Sequence, residues 1–320
     1  MYREFFQLHD KPFELTSDSR TLFFSEVHRQ GLATLKQGVD ASAGFLLLTG
    51  DVGTGKTTLI NALVAGLQDS PYLCLLSNPI LKVSEFYRYV AAKFGLSYDG
   101  DKSHFLVTLS RFLDQCLATG KKALLIIDEV QALPYDLFEE ICLLEDLSAE
   151  RENILSIFLV GQLELLEWLA EERLRPVRER IGSRFHLEPL SGADVRAYID
   201  HRLMVAGRGK NTEALFTDKA IESIYEVTGS VPRLINILCD NAMLTAYSRD
   251  IKRIDDDIIQ ECVEQMSLGG DENAPEPIPK RSFWEKWLWP LVAVVAVLEI
   301  LAVWLSVRFG LIEYIISLFR

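Results

Sequence analysis

The sequence predicts a three-layer α/β/α domain, a small helical domain after it, and one C-terminal transmembrane helix. Three observations carry this. Between Gly44 and about Leu190, short apolar runs alternate with longer amphipathic segments, as buried parallel strands and their covering helices do. Beyond Leu190 the strand-like runs stop and helix-start signals take over. Trp287 to Val307 is an apolar stretch of about twenty residues, long enough to span a bilayer.

The expected strands are Phe45 to Gly50, Tyr72 to Asn78, Ala123 to Asp128, Ile154 to Gly161 and Arg184 to Leu190. Between them, Val83 to Phe94, Phe105 to Ala118 and Pro134 to Leu147 place apolar residues three and four apart, as helices lying on a sheet would. In the second domain Ser191 precedes Asp194 by three residues, Thr217 precedes Asp218, Pro232 opens LINILCDNAML, and Asp255 precedes IIQECVEQM. The Gly- and Pro-containing stretch from Leu268 to Arg281 suits a linker. The expected organisation is a segment over 1–43 packing on the core, an α/β domain over 44–190, a helical domain over 191–267, a linker over 268–286, a span over 287–307 and a short amphipathic tail over 308–320.

Lys and Arg total 33 against 46 Asp and Glu, a formal net charge of -13. That balance argues against a large nucleic-acid footprint, which needs a basic surface. The five cysteines contain no CxxC pair and read as buried thiols in a reducing compartment. The opening MYREFFQLHDKPFEL lacks a basic region followed by an apolar run, so the segment behind it is expected in the cytoplasm.

Gly50 to Thr58 reads GDVGTGKTT: Gly, four residues, Gly, Lys, Thr, directly after an apolar strand and before an apolar helix. Gly50, Gly53 and Gly55 let the backbone curl so that the N–H groups of Asp51, Val52, Thr54 and their neighbours meet phosphate oxygens at a helix N-terminus. Lys56 is expected on the β and γ phosphates, Thr57 on Mg2+, and Thr58 among the residues that bind the nucleotide. The bound nucleotide is expected to be ATP. ALLIIDE then ends a second strand in Asp128 and Glu129. Asp128 suits the Mg2+ shell and Glu129 the polarisation of an attacking water.

With these motifs, MYREFFQLHDKPFELTSDSRTLFFSEVH, LLIIDEVQAL, FLVGQLEL, RIGSRFHLEPLS and GSVPRLIN resemble the AAA+ ATPases of the general secretion pathway protein A group and their pilus-biogenesis and exosortase-associated relatives, over about residues 1 to 266. The resemblance implies a P-loop NTPase fold of AAA+ type with a helical lid. It also implies that Gln162 senses the γ-phosphate, although a helix cap or surface amide fits Gln162 equally. By the same resemblance Arg184, or else Arg180, is offered to a neighbouring subunit's nucleotide, with a plain surface ion pair as the alternative. Arg233 would be a second sensor on the lid. Pro12 and Phe13 match the region that contributes to the adenine pocket, while Phe5, Phe6, Phe23 and Phe24 suit packing of the segment on the sheet.

Tryptophans flank the apolar stretch, and Lys280, Arg281 and Lys286 precede it, which favours a cytoplasmic N-terminal side. Glu299 lies inside the span, and Glu299, Ser306, Gly310, Glu313, Ser317 and Arg320 fall on one helical face, a stripe suited to another membrane helix. Longer members of the resembling group carry a peptidoglycan-binding domain after the span, and the chain here stops soon after it, so cell-wall binding is not expected. The expected protein is a single-pass, inner (cytoplasmic) membrane ATPase, a homo-oligomer working with a membrane protein partner of a secretion, pilus or polysaccharide-export apparatus. Two other readings stand beside it: an ATP-gated switch with slow hydrolysis, and a DNA-handling ATPase, the latter opposed by the acidic balance.

Overall fold

The computed structural model describes residues 2–15, 22–41, 44–67, 72–209 and 212–268. The linker beyond Leu268, the span expected at 287–307, the tail at 308–320 and the stripe beginning at Glu299 lie outside the described residues. Among the described residues, no helix is long and apolar enough to cross a membrane.

Five strands form one parallel sheet: β1 (Phe45–Gly50), β2 (Tyr72–Leu76), β3 (Ala123–Ile127), β4 (Leu155–Gly161) and β5 (Ile181–Leu187), in the order β2-β3-β4-β1-β5. In chain order the helices are α1 (Tyr2–Phe5), α2 (Glu26–Asp40), α3 (Lys56–Gly66), α4 (Val83–Phe94), α5 (Lys102–Thr119), α6 (Tyr135–Ala149), α7 (Glu164–Ala170), α8 (Arg175–Arg180), α9 (Gly192–Val205), α10 (Asp218–Thr228), α11 (Pro232–Ser248) and α12 (Asp256–Leu268).

Strand periodicity divides the sheet's core in two. Phe45, Leu47, Leu125, Ile127, Ile157 and Leu159 face a cluster completed by α4, α5 and α6, whereas Leu46, Leu48, Leu124, Ile126, Phe158 and Val160 face α2 and α3. Because both faces are covered, the central strands are apolar at nearly every position. A third cluster belongs to α9–α12 and holds Ile199, Ile224, Ile235 and Met243. The starts of α9 and α10 are capped as their residue types require: Ser191 accepts from the Asp194 N–H and Thr217 from the Ala220 N–H. All five cysteines are free, four of them buried.

Two expectations differ. The last strand lies three residues earlier than 184–190, because Ile181 and Ser183 pair with Phe45 and Leu46, and Pro189, which has no N–H to offer a ladder, lies beyond its end. The aromatic N-terminal segment packs chiefly on the helical domain rather than on the sheet. Tyr2, Phe6, Leu8 and Phe13 are buried in the third cluster, with Phe5 and Phe23 against it, and Phe24 alone joins the sheet-face cluster. Arg202 on α9 fixes this arrangement by donating from Nε to the Pro12 carbonyl at 2.6 Å and from a terminal nitrogen to the Glu14 carbonyl at 2.7 Å.

Candidate nucleotide site

β1 lies between β4 and β5, so the loop leaving its carboxyl end sits beside the end of β4, with β3 one strand further. Thr49 pairs with Gly161 and Ile127 with Leu159, which brings the loop after Gly50, the residue after Gly161 and the residue after Ile127 to one edge. Ligands bind at such carboxyl ends in open parallel sheets.

The loop from Gly50 to Gly55 turns tightly into α3. Gly53 and Gly55 have φ of +82° and +105°, a region costly for residues with a Cβ. A Cβ on Gly50 would meet the Leu187 carbonyl oxygen at 2.7 Å, and one on Gly53 would meet the Arg233 Cβ at 2.6 Å. Glycine is therefore demanded by backbone angle and by close approach together. Thr54 is fully buried and donates its hydroxyl to the Asp51 carbonyl at 2.9 Å, while Asp51 and Val52 are exposed.

Lys56 is buried, and its ammonium donates to the Gly50 and Asp51 carbonyls at 2.9 and 3.0 Å. Burial pulls its pKa down, while Glu129, Asp128 and Asp51 oppose that shift. Thr57 donates its hydroxyl to Asp128 Oδ2 at 2.7 Å. Burial raises the Asp128 pKa against the Thr57 hydrogen bond and the nearby Lys56. Hydroxyl and carboxylate so placed are oxygen donors that fit Mg2+, which takes few protein ligands and completes its shell with water and phosphate. No group of three or more His, Cys, Asp or Glu suited to a metal occurs among the described residues.

Glu129 has φ of +55°, a left-handed conformation uncommon for glutamate. Its Oε2 accepts from Gln131 Nε2 and, at 3.3 Å, from Gln162 Nε2, while Gln131 Oε1 accepts the Gln162 backbone N–H at 3.2 Å. Two amides thus hold the carboxylate.

A cleft of about 800 Å³ opens over the loop, within the range of small-molecule sites. Arg233 lines it from the start of α11 and donates its backbone N–H to the Gly53 carbonyl at 3.3 Å, joining the helical domain to the loop. Phe23, Phe24, Tyr198 and Arg202 form further walls. Pro12 and Phe13 do not line it; Phe13 is 2% exposed and packs edge-on against Phe216, and Pro12 offers only its carbonyl, to Arg202.

Arg180 and Arg184 do not line the cleft. Arg180 pairs with the buried Glu145 at 3.1 Å and with Asp146. Arg184 is exposed on the edge strand β5 and makes a 3.4 Å contact to the Arg178 carbonyl. Reading the sequence missed His28, Gln131, Tyr198, Arg202 and Asn236, all close to or lining the cleft. Only Gln131 carried a local signal, two residues beyond the acidic pair.

Residues 39–169 match the family described as AAA domain. The chain is 38% identical over 256 residues to general secretion pathway protein A of Aeromonas hydrophila, covering 79% of this chain and 46% of that protein. The chain carries an AAA domain. It spans about half the length of that secretion-pathway relative. Among solved structures, Cdc6p from Pyrobaculum aerophilum matches with a TM-score of 0.60 at 13% identity, over 80% of this chain and 70% of that one. The Aeropyrum pernix ORC2 protein, in ADPNP and ADP complexes, matches with a TM-score of 0.55 at 17% identity, over 80% and 71%. These two likenesses concern the fold.

Proposed function

We propose that the chain is an ATPase of AAA+ type that binds ATP with Mg2+ and hydrolyses it. The observation that carries this reading is the 2.7 Å hydrogen bond between Thr57 and Asp128, which joins the phosphate loop to the acidic pair at one sheet edge. In this reading the N–H groups of 50–58 cradle the phosphates and Lys56 leaves its loop carbonyls for phosphate oxygens. Thr57 and Asp128 hold Mg2+, which supplies charge neutralisation on the phosphates, and Glu129 orients water. Arg233 reports nucleotide to the helical domain, and Gln162 acts near the γ-phosphate.

Arg184, exposed on an edge strand, suits a role across a subunit boundary in a homo-oligomer, and Arg180, tied to Glu145, suits an intrachain role. The likeness to the Aeromonas secretion-pathway protein supports work on a secretion apparatus, and the apolar stretch 287–307 supports tethering to the inner membrane with the ATPase in the cytoplasm.

A second reading, an ATP-gated switch with slow hydrolysis, is favoured by the two amides that occupy Glu129. Steady-state ATPase assays of wild type, Lys56→Ala and Glu129→Gln, with oligomer mass measured in ATP, test both. The ATPase reading expects turnover in wild type and none in either variant, with nucleotide retained by Glu129→Gln; an inactive wild type that nevertheless assembles with ATP favours the switch. Failure of wild type to bind nucleotide removes both.

A further inference from the structure

Helix α2 reaches the phosphate loop through one buried side chain. His28, in the first turn of α2, is 6% exposed and lies against the loop, with Nε2 3.2 Å from the Thr54 carbonyl oxygen and Nδ1 2.7 Å from Ser25 Oγ. A carbonyl only accepts, so Nε2 carries the hydrogen; Nδ1 of the neutral ring then accepts from the Ser25 hydroxyl. Ser25 is itself 1% exposed and caps α2 by accepting the His28 backbone N–H, which fixes the ring's starting point. The partner of Nε2 lies 26 residues along the chain, in the phosphate loop, so this bond connects two elements rather than stabilising one turn.

The consequence for the loop follows from peptide geometry. In a planar trans peptide the C=O and the next N–H point in opposite directions. Drawing the Thr54 carbonyl toward His28 turns the Gly55 N–H to the other side, where an anion on the loop can meet it. Gly55 also owes its identity partly to this ring: a Cβ there would come within 3.0 Å of His28 Nε2.

We infer that His28 is a positioning residue for the phosphate cradle: by holding the Thr54 carbonyl through a tautomer set by Ser25, it keeps the 54–55 peptide oriented for the di- and triphosphate of a bound nucleotide. The inference rests on the nucleotide-binding reading above. Because the bond orients a peptide beneath phosphates common to ADP and ATP, both nucleotides depend on it, and affinity is affected more than the chemical step.

The test uses the full chain, with a fluorescent ADP analogue for binding, ATP turnover for KM and kcat, and thermal unfolding without nucleotide. His28→Phe keeps an aromatic ring without the donor, and His28→Gln keeps a donor nitrogen at similar reach. His28→Phe is expected to weaken ADP binding about tenfold and to raise KM for ATP similarly with kcat changed less, as loss of one hydrogen bond at a charged ligand site would do. His28→Gln is expected to restore affinity to within about threefold of wild type, and Ser25→Ala to fall between. The proposal is overturned if His28→Phe binds ADP like wild type, or if His28→Gln is as impaired as His28→Phe at equal stability without nucleotide. A wild type that binds no ADP would instead remove the nucleotide-binding reading; a binding wild type with indifferent variants removes only the role of His28.

Discussion

Gln162 donates its side-chain amide to Glu129 Oε2 at 3.3 Å, and Gln131 donates to the same oxygen from two residues along the chain. Two neutral donors therefore compete with water for the carboxylate assigned to hydrolysis. Replacing Gln131 by Leu should raise basal ATP turnover roughly threefold to tenfold, the rate equivalent of about 1 kcal/mol, with ATP affinity unchanged. A lowered kcat in Gln131→Leu would mean that the amide supports Glu129 rather than restraining it.

The pairing of Thr57 with Asp128 makes a separate forecast. Thr57→Val removes the proposed metal ligand and the hydroxyl that hydrogen-bonds a buried carboxylate. ADP titrations with Mg2+ and with EDTA should then give nearly equal affinities, whereas wild type should bind more tightly with Mg2+. Retention of the wild-type Mg2+ effect would place the metal elsewhere.

Two glycines separate backbone strain from steric approach. Gly53 and Gly95 have φ of +82° and +72°, but a Cβ on Gly53 meets Arg233 at 2.6 Å while one on Gly95 meets nothing within 4 Å. Gly95→Ala should cost about 1–2 kcal/mol of stability from left-handed strain alone. Gly53→Ala should cost more in the same urea titrations, and should also weaken nucleotide binding. Equal losses would show that the contact between loop and helical domain relaxes freely.

Arg180 and Arg184 should behave differently. Arg180→Ala leaves the buried Glu145 without its 3.1 Å partner and should lower thermal stability, by about 1–2 kcal/mol given that Arg180 itself is partly solvated. Arg184→Ala should leave stability and nucleotide affinity intact while lowering ATP turnover about 100-fold or more if it serves a neighbouring subunit. Mixing Arg184→Ala with Lys56→Ala subunits should then recover part of the activity, and no recovery would argue against a role in trans.

His28 also gives a pH dependence. Burial depresses its pKa, with the Thr54 carbonyl and Asp194 opposing, so the unfolded chain, titrating near the ordinary value of about 6.5, takes up the proton first. The stabilisation associated with neutral His28 is therefore fully present above that value and is lost as pH falls toward the folded-state pKa. Wild type should lose stability more steeply than His28→Gln between about pH 7 and pH 5.5, by no more than about 1.4 kcal/mol per pH unit. Parallel curves for the two proteins would contradict the burial of a neutral ring.

Local chemistry made much of this protein legible. GDVGTGKTT identified its own loop because left-handed angles and close approach leave few residues but glycine, and a lysine and a threonine must follow at fixed spacing. Ser191 and Thr217 marked helix starts because a cap acts within three residues, and the nearly continuous apolar runs of β1, β3 and β4 reported a sheet covered on both faces. Edge strand β5 was misplaced because its half-buried residues carry a weaker pattern.

What the sequence by itself determined was therefore the sheet, the tight glycine-rich loop after β1 and the carboxylates after β3, each set by spacing within a few residues. Only the tertiary structure decided that the aromatic N-terminal segment belongs to the helical domain, that Arg202 binds the Pro12 carbonyl 190 residues away, and that His28 supports the loop from another helix. Those contacts join residues far apart in the chain, and no local periodicity encodes which distant surfaces meet when the core closes.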